Sequence, residues 1–192
     1  MKNPLLDKIK EELPEYKISV LSNTLIIVLA ILRKESCSLY KLRGAVGQSS
    51  GKTKSRPASH YQRLIRFFKQ HSANTLWIDL LKLCFKLLRM KVDYLALDGT
   101  SWQYGSRKVH LLMLCVIYKG VAIPIYWHDL AKKGTNNTEE RKRLFQEAIG
   151  KLNLSGKTLL ADREYVGKEW FKFLIDNEID FIIRLREGCY QE

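Results

Sequence analysis

Cysteine is scarce and scattered. Four stand in 192 residues, at Cys37, Cys84, Cys115 and Cys189, and no two form a CxxC pair. That excludes the usual zinc-binding spacings. The apolar neighbours of these cysteines predict buried free thiols, as in a reducing cytosol. The four histidines, His60, His71, His110 and His128, lack ligand spacing as well. Long hydrophobic runs are also missing. The apolar stretch Thr24–Leu32 has nine residues, whereas a bilayer span takes roughly 20, so it reads as a buried core helix. Met1-Lys2-Asn3-Pro4 opens no signal-peptide pattern, and there is no internal repeat or low-complexity segment.

Positive charge is abundant. Lys and Arg number 33 against 20 Asp and Glu, for a formal charge of +13. The excess is lopsided. Residues 1–91 hold 18 basic and 6 acidic side chains, while residues 92–192 hold 15 and 14. A basic front joined to a near-neutral back predicts a polyanion-binding part attached to a part with other work, and nucleic acid is the expected polyanion.

The front, residues 1–90, reads as helices. Leu5, Leu6, Ile9 and Leu13 recur at helical spacing before Pro14. Ser19–Arg33 is a strongly apolar helix. Ser38 is placed to cap a helix through Val46 that Gly47 ends. A polar, basic loop over 48–57 follows. After it, Tyr61, Leu64, Ile65 and Phe68 form one apolar face at i, i+3, i+4, i+7, with Arg63 and Arg66 on the other side. A last helix, about Thr75 to Met90, is apolar nearly all round and is expected to be largely buried.

The pattern changes near residue 91. Val92–Leu97 is a short apolar run ending in Asp98-Gly99-Thr100. Val109–Tyr118 and Val121–Trp127 are β-rich, and the Lys119-Gly120 turn between them predicts an antiparallel hairpin. Thr138 is placed to cap a helix ending near Leu152, with Glu139 and Glu140 in its first turn. Lys157–Ala161 is a strand ending in Asp162, Lys168–Asn177 a helix and Asp180–Leu185 a strand. The order is βββ-α-β-α-β, and the class is α+β or α/β with a mixed sheet.

Asp98 and Asp162 both follow short apolar strands. Each alone reads as an ordinary turn residue, Asp98-Gly99 above all. Together they read differently. If their strands are parallel neighbours, the two carboxylates lie roughly 5 Å apart in the hydrogen-bonding direction and repel until a cation intervenes. Hard oxygen donors suit Mg²⁺.

Two blocks carry a family resemblance. Tyr94-Leu95-Ala96-Leu97-Asp98-Gly99-Thr100-Ser101-Trp102 resembles the first catalytic block of DDE transposases of insertion sequence family four. Leu159-Leu160-Ala161-Asp162-Arg163-Glu164-Tyr165 resembles the second, in which Asp-Arg is followed by an aromatic. The hairpin between them and Phe181–Arg186 are similar too, so the likeness covers about residues 90–190. It implies an RNase H-like fold, with the first strand central and the fourth parallel beside it. It also implies that Asp98 and Asp162 are the catalytic, metal-binding pair, with Mg²⁺ or Mn²⁺ as cofactor. A third acid is implied much later, a Glu in a Tyr–Arg–Glu–Lys signature, after an inserted β-rich segment. Glu164 and Glu187 do not fit that signature. The expectation is a C-terminally truncated transposase: a basic helical DNA-binding region over 1–90 and an incomplete RNase H-like sheet over 91–192, with little or no strand transfer from this chain alone.

The expected partners are double-stranded DNA bearing transposon end repeats and a second copy or a full-length transposase, with no membrane. The expected location is cytoplasmic and DNA-associated. Lys52, Lys54 and Arg56 in the loop, with Arg63 and Arg66 on the next helix, form the expected phosphate-contacting set. His60 and His71 flank that helix, within reach of phosphates. Trp102 and Tyr104 are placed either to stack on a base or to cover the core. Two readings compete: a non-catalytic DNA-binding derivative (a competitor of the full-length enzyme or a decayed relic), and an RNase H-like nuclease complete at this length.

Overall fold

A computed structural model of the chain describes residues 3–51, 54–72, 75–132 and 134–185. The chain divides into two compact units, Met1–Leu83 and Cys84–Glu192.

The first unit is helical: α1 (Pro4–Glu12), α2 (Ile18–Lys34), α3 (Leu39–Ser49), α4 (Pro57–His71) and the start of α5 (Leu76–Leu87). Asn3 caps α1 by accepting from the Leu5 and Leu6 amides, and Pro4 takes the first helical position, where its missing N–H costs nothing. Ile27, Ala30, Leu42, Ala45, Val46 and Leu64 form one core among α2, α3 and α4, and Leu13, Leu21, Leu76 and Leu83 form a second.

Several sequence expectations change here. Helix α3 runs past Gly47 to Ser49. Gly47 does not end it but admits a neighbour, since a Cβ there would stand 2.9 Å from His60 Nε2. His60 is accordingly buried, not free to meet phosphates. The buried face of α4 is turned toward His60 and Leu64, with Phe67 packed against the core and Phe68 exposed. Helix α5 buries Leu76, Ile78 and Leu83 but leaves Leu87 exposed. Cys37 and Cys84 are exposed and only Cys115 is buried; Cys189 lies outside the described residues.

The second unit contains β1 (Tyr94–Tyr104), β2 (Arg107–Tyr118), β3 (Val121–Asp129), α6 (Thr138–Ile149), β4 (Thr158–Ala161), a 3-10 turn (Arg163–Tyr165), α7 (Lys168–Asp176) and β5 (Asp180–Ile183). One five-stranded mixed sheet runs in the order β3-β2-β1-β4-β5. Strands β1, β2 and β3 are antiparallel neighbours, and β4 and β5 run parallel to β1. This is the RNase H-like arrangement. The Lys119-Gly120 turn has both residues at positive φ, 49° and 78°, as a two-residue hairpin turn requires. Strand β1 does not stop at Asp98-Gly99 but continues to Tyr104, paired with β2 throughout.

Both crossovers, β3-α6-β4 and β4-α7-β5, step the same way across the sheet. Right-handed connections therefore put both helices on one face. That face carries Leu95, Leu97, Leu112, Leu114 and Leu159, all buried. Phe181 stacks on Phe171 of α7 at 4.8 Å, and Phe145 of α6 meets Trp170 of α7 edge to face at 5.2 Å. The other face leaves Tyr94, Trp102, Tyr104 and Ile182 exposed.

The cap of α6 is Asn137, not Thr138. Its side chain accepts from the Glu140 amide while Glu140 accepts from the Asn137 amide, a reciprocal capping box. Asn137→Ala should lower stability by about 1 kcal/mol, and Trp170→Ala, which empties a fully buried site, by about 3–5 kcal/mol; chemical denaturation reads both. Burial opposes ionisation of Glu140, but Lys132 and the Asn137 amide outweigh it and hold its carboxyl below the ordinary 4.5. A carboxyl depressed by folding stabilises above its unfolded value and loses that contribution as pH falls through its folded one. Glu140→Gln should therefore flatten the decline of melting temperature below pH 4.5 and lower it near neutrality.

Candidate active site

The parallel ladder of β1 and β4 has four rungs, the last joining Leu97 to Ala161. Asp98 and Asp162 are the next residue on each strand. Side chains alternate along a strand. Leu97 points to the helix-covered face, so Asp98 emerges on the other, and Asp162 follows the same parity two residues after Leu160. The two aspartates thus stand side by side on one face, at the C-terminal ends of adjacent strands. Both are exposed, and both line one open depression with Leu97, Leu160, Ala161, Ile182, Ile183 and Arg184. Asp98 accepts from the Gly99 amide at 2.8 Å, which leaves its second oxygen uncommitted by that bond.

Arg184 falls within the Phe181–Arg186 stretch of the resemblance but without a role there, and the period of two along β5 from Ile182 carries it to the same face. Its amide donates to the Ala161 carbonyl at 3.2 Å, which continues the sheet past β5, and the residue lines the same depression as the two aspartates. Cys115, on the next strand over, has its thiol pushed up by burial and then by Asp98.

Among the described residues, no three His, Cys, Asp or Glu side chains are grouped to hold a metal ion. Glu164 sits in the 3-10 turn, and its carboxylate helps push the Tyr165 phenol upward. Glu187 lies outside the described residues. Two adjacent exposed carboxylates are hard oxygen donors of the kind Mg²⁺ or Mn²⁺ takes, so the pair fits such an ion as part of a ligand set.

Behind Asp98, on the helix-covered face, is a buried polar cluster of which His110 and Tyr165 stand out in the sequence and Asn136 and Arg141 do not. His110 is 3% exposed, and its Nδ1 lies 2.9 Å from Ser101 Oγ. Asn136 and Arg141 are each 5% exposed and Tyr165 is fully buried. The Arg141 guanidinium lies 4.6 Å over the Tyr165 ring. Burial, followed by its carboxylate neighbours, pushes the Tyr165 phenol upward, so its hydroxyl keeps its proton. A Cβ on Gly99 would meet Asn136 Nδ2 and His110 Nε2, both at 3.2 Å.

In the first unit, Lys54 and Arg56 are exposed ahead of α4, and Arg66 is exposed on it. Arg63 is half-buried, and its guanidinium donates to Asn23 Oδ1, so it is the least free of the set. Lys52 lies outside the described residues. On α3, Arg43 lies 3.6 Å over the ring of exposed Tyr40, which meets Tyr61 of α4 edge to face at 6.3 Å. The sequence points to neither Tyr40 nor Arg43, because only the three-dimensional approach of α3 to α4 joins them to the basic helix. Lys132 pairs with Glu140 at 2.7 Å, which ties it to α6; Lys133 lies outside the described residues. No described helix is long and apolar enough to cross a membrane.

Three solved structures show a low similarity to the chain. The HTLV-2 integrase catalytic core domain in complex with magnesium is 18% identical, with TM-score 0.38 over 49% of this chain and 62% of that one. The catalytic domain of Mos1 mariner transposase is 12% identical, with TM-score 0.36 over 58% of each. The piggyBac transposase in a synaptic complex with hairpin DNA is 12% identical, with TM-score 0.44 over 90% of this chain and 43% of that one. The chain thus spans less than two thirds of each, and likeness at this level transfers no function. No curated protein matches the chain. The family model described as Transposase DDE domain matches residues 90–189, the stretch that contains both aspartates and the whole sheet. The chain belongs to the transposase DDE domain family.

Proposed function

We propose that the chain acts in DNA transposition as a transposase of the insertion sequence family four type, with Asp98 and Asp162 as two of its three catalytic carboxylates. The single observation that carries this is the pairing of the two aspartates one residue past the last β1–β4 rung, on one face, within the matched DDE domain. The third carboxylate comes from outside the described residues. The chain alone then binds DNA and cleaves it little or not at all.

Asp98 and Asp162 would hold Mg²⁺ or Mn²⁺. When bound, such ions stabilise the attacking and leaving oxygens of an in-line phosphodiester displacement. The protein's own residues supply position and charge. The two carboxylates offer oxygens from neighbouring strand ends. Arg184, beside them, offers a guanidinium to a phosphate entering the depression, a contact its planar fork suits. Residues 1–90 form the DNA-binding region and residues 91–192 the front of the catalytic domain. Lys52, Lys54, Arg56, Arg63 and Arg66 contact phosphates of duplex DNA carrying the terminal repeats, with Arg43 and Tyr40 extending that surface. The working assembly includes a second copy or a full-length transposase, and the protein is cytoplasmic and associated with DNA.

DNA binding should be steeply salt-dependent. The triple variant Lys54→Ala/Arg56→Ala/Arg66→Ala should weaken it on all sequences and flatten the log–log salt slope by about one for each phosphate no longer neutralised; fluorescence anisotropy across a salt series reads this. An unchanged slope would remove these cations from the interface. The double variant Asp98→Ala/Asp162→Ala should keep its affinity for DNA and lose its binding of Mn²⁺. Robust nicking of end-sequence DNA by the wild-type chain in Mn²⁺, lost in Asp98→Ala, would refute the claim that it is inactive alone.

A further inference from the structure

The ladder that aligns β1 with β4 ends at Leu97 and Ala161. The separation of Asp98 and Asp162 is therefore set by whatever holds the two segments that follow. We infer that Arg141, with Asn136 and Tyr165, is a positioning network that fixes this separation and so sets the affinity of the site for a divalent cation. This rests on the metal role proposed above for the two aspartates.

The hydrogen bonds form one continuous path. Arg141 projects from α6. Its Nε donates to Asn136 Oδ1, and its Nη2 donates to the Asn136 carbonyl at 3.0 Å and to the Glu164 carbonyl at 3.1 Å. Glu164 is two residues past Asp162, so the guanidinium grips the backbone immediately after the second carboxylate. Asn136 Nδ2 donates to the Tyr165 hydroxyl at 3.4 Å. Both of these atoms back the residue after the first carboxylate: a Cβ on Gly99 would lie 3.2 Å from Asn136 Nδ2 and 3.6 Å from the Tyr165 hydroxyl. Arg141 thus ties the segment after Asp162 to Asn136, and Asn136 and Tyr165 pack behind Gly99, the residue after Asp98.

The energetics favour a dedicated role. Among the described residues Arg141 makes no ion pair, although it is 5% exposed. A buried guanidinium without a carboxylate is expensive, and burial pushes its pKa down. An apolar side chain would fill that space at lower cost. What it could not do is donate in a fixed fork to two carbonyls and an amide at once.

The test uses the full chain and Mn²⁺ alone, titrated by electron paramagnetic resonance of the free ion. Arg141→Met should weaken Mn²⁺ binding by about 10–100-fold, the usual effect of losing a group that orients metal ligands. Arg141→Lys should not restore it, because a single ammonium cannot span the fork. Tyr165→Phe and Asn136→Ala, milder changes in the same path, should each weaken binding several-fold with circular dichroism unchanged, and they decide the matter if Arg141→Met does not fold. Leu174→Ala, a core change of α7 away from the path, should lower the melting temperature and leave Mn²⁺ affinity alone. Wild-type affinity in folded Tyr165→Phe and Asn136→Ala, or an equal loss in Leu174→Ala, would overturn the inference. Failure of the parent reading looks different: wild type and Asp98→Ala/Asp162→Ala would then bind Mn²⁺ alike.

Discussion

Everything at the candidate site depends on one parallel pairing, that of β1 with β4. Residues sixty-four apart in sequence, 98 and 162, become neighbours because Tyr94–Leu97 and Thr158–Ala161 lie in register. A parallel pair cannot be made locally, because it needs a crossover. Here the crossover is α6, whose cap, core face and buried arginine all help place the second strand. The site is thus a product of non-local folding, and anything that loosens α6 loosens the distance between two like charges.

The one-sided placement of the helices follows from the same topology. Buried aromatic packing, Phe145 on Trp170 and Phe171 on Phe181, anchors the sheet from behind. The carboxylates emerge on the face that these helices leave uncovered. Support and chemistry are separated by the thickness of a strand: Asp98 looks one way and Gly99, the next residue, is backed by Asn136 and His110 on the other.

Much of this is legible in the sequence, for physical reasons that can be named. The strands and crossovers of the back half read correctly because their apolar runs are short, bounded and broken by turn residues. The two aspartates are found because each follows such a run. What misleads is local chemistry. Asp98-Gly99 reads as a turn, yet Gly99 stands where a Cβ would press on Asn136 and His110, both at 3.2 Å, and the strand runs on. Gly47 reads as a helix stop for the same reason and is again a close approach, with His60. Thr138 and Asn137 are both good caps, and only the reciprocal bond with Glu140 decides between them. The Arg141 network is invisible. In a polar amphipathic helix, the first cation of Arg141-Lys142-Arg143 looks like surface, and nothing in its neighbours announces that it turns inward.

One consequence lies in the length of β1. Beyond Leu97 it loses β4, and from Gly99 onward only β2 holds it. Strand β2 in turn has its last β3 rung at Leu111. The tip carrying Trp102 and Tyr104 is therefore a two-stranded ribbon cantilevered from a five-stranded plate. Such ribbons twist more strongly and are marginal on their own. Backbone amides near Gly105 should trade hydrogen with solvent long before those of Leu95 and Leu97, and two aromatic rings, about 13 and 20 Å along the strand from Asp98, would ride on a spring whose stiffness the plate does not share.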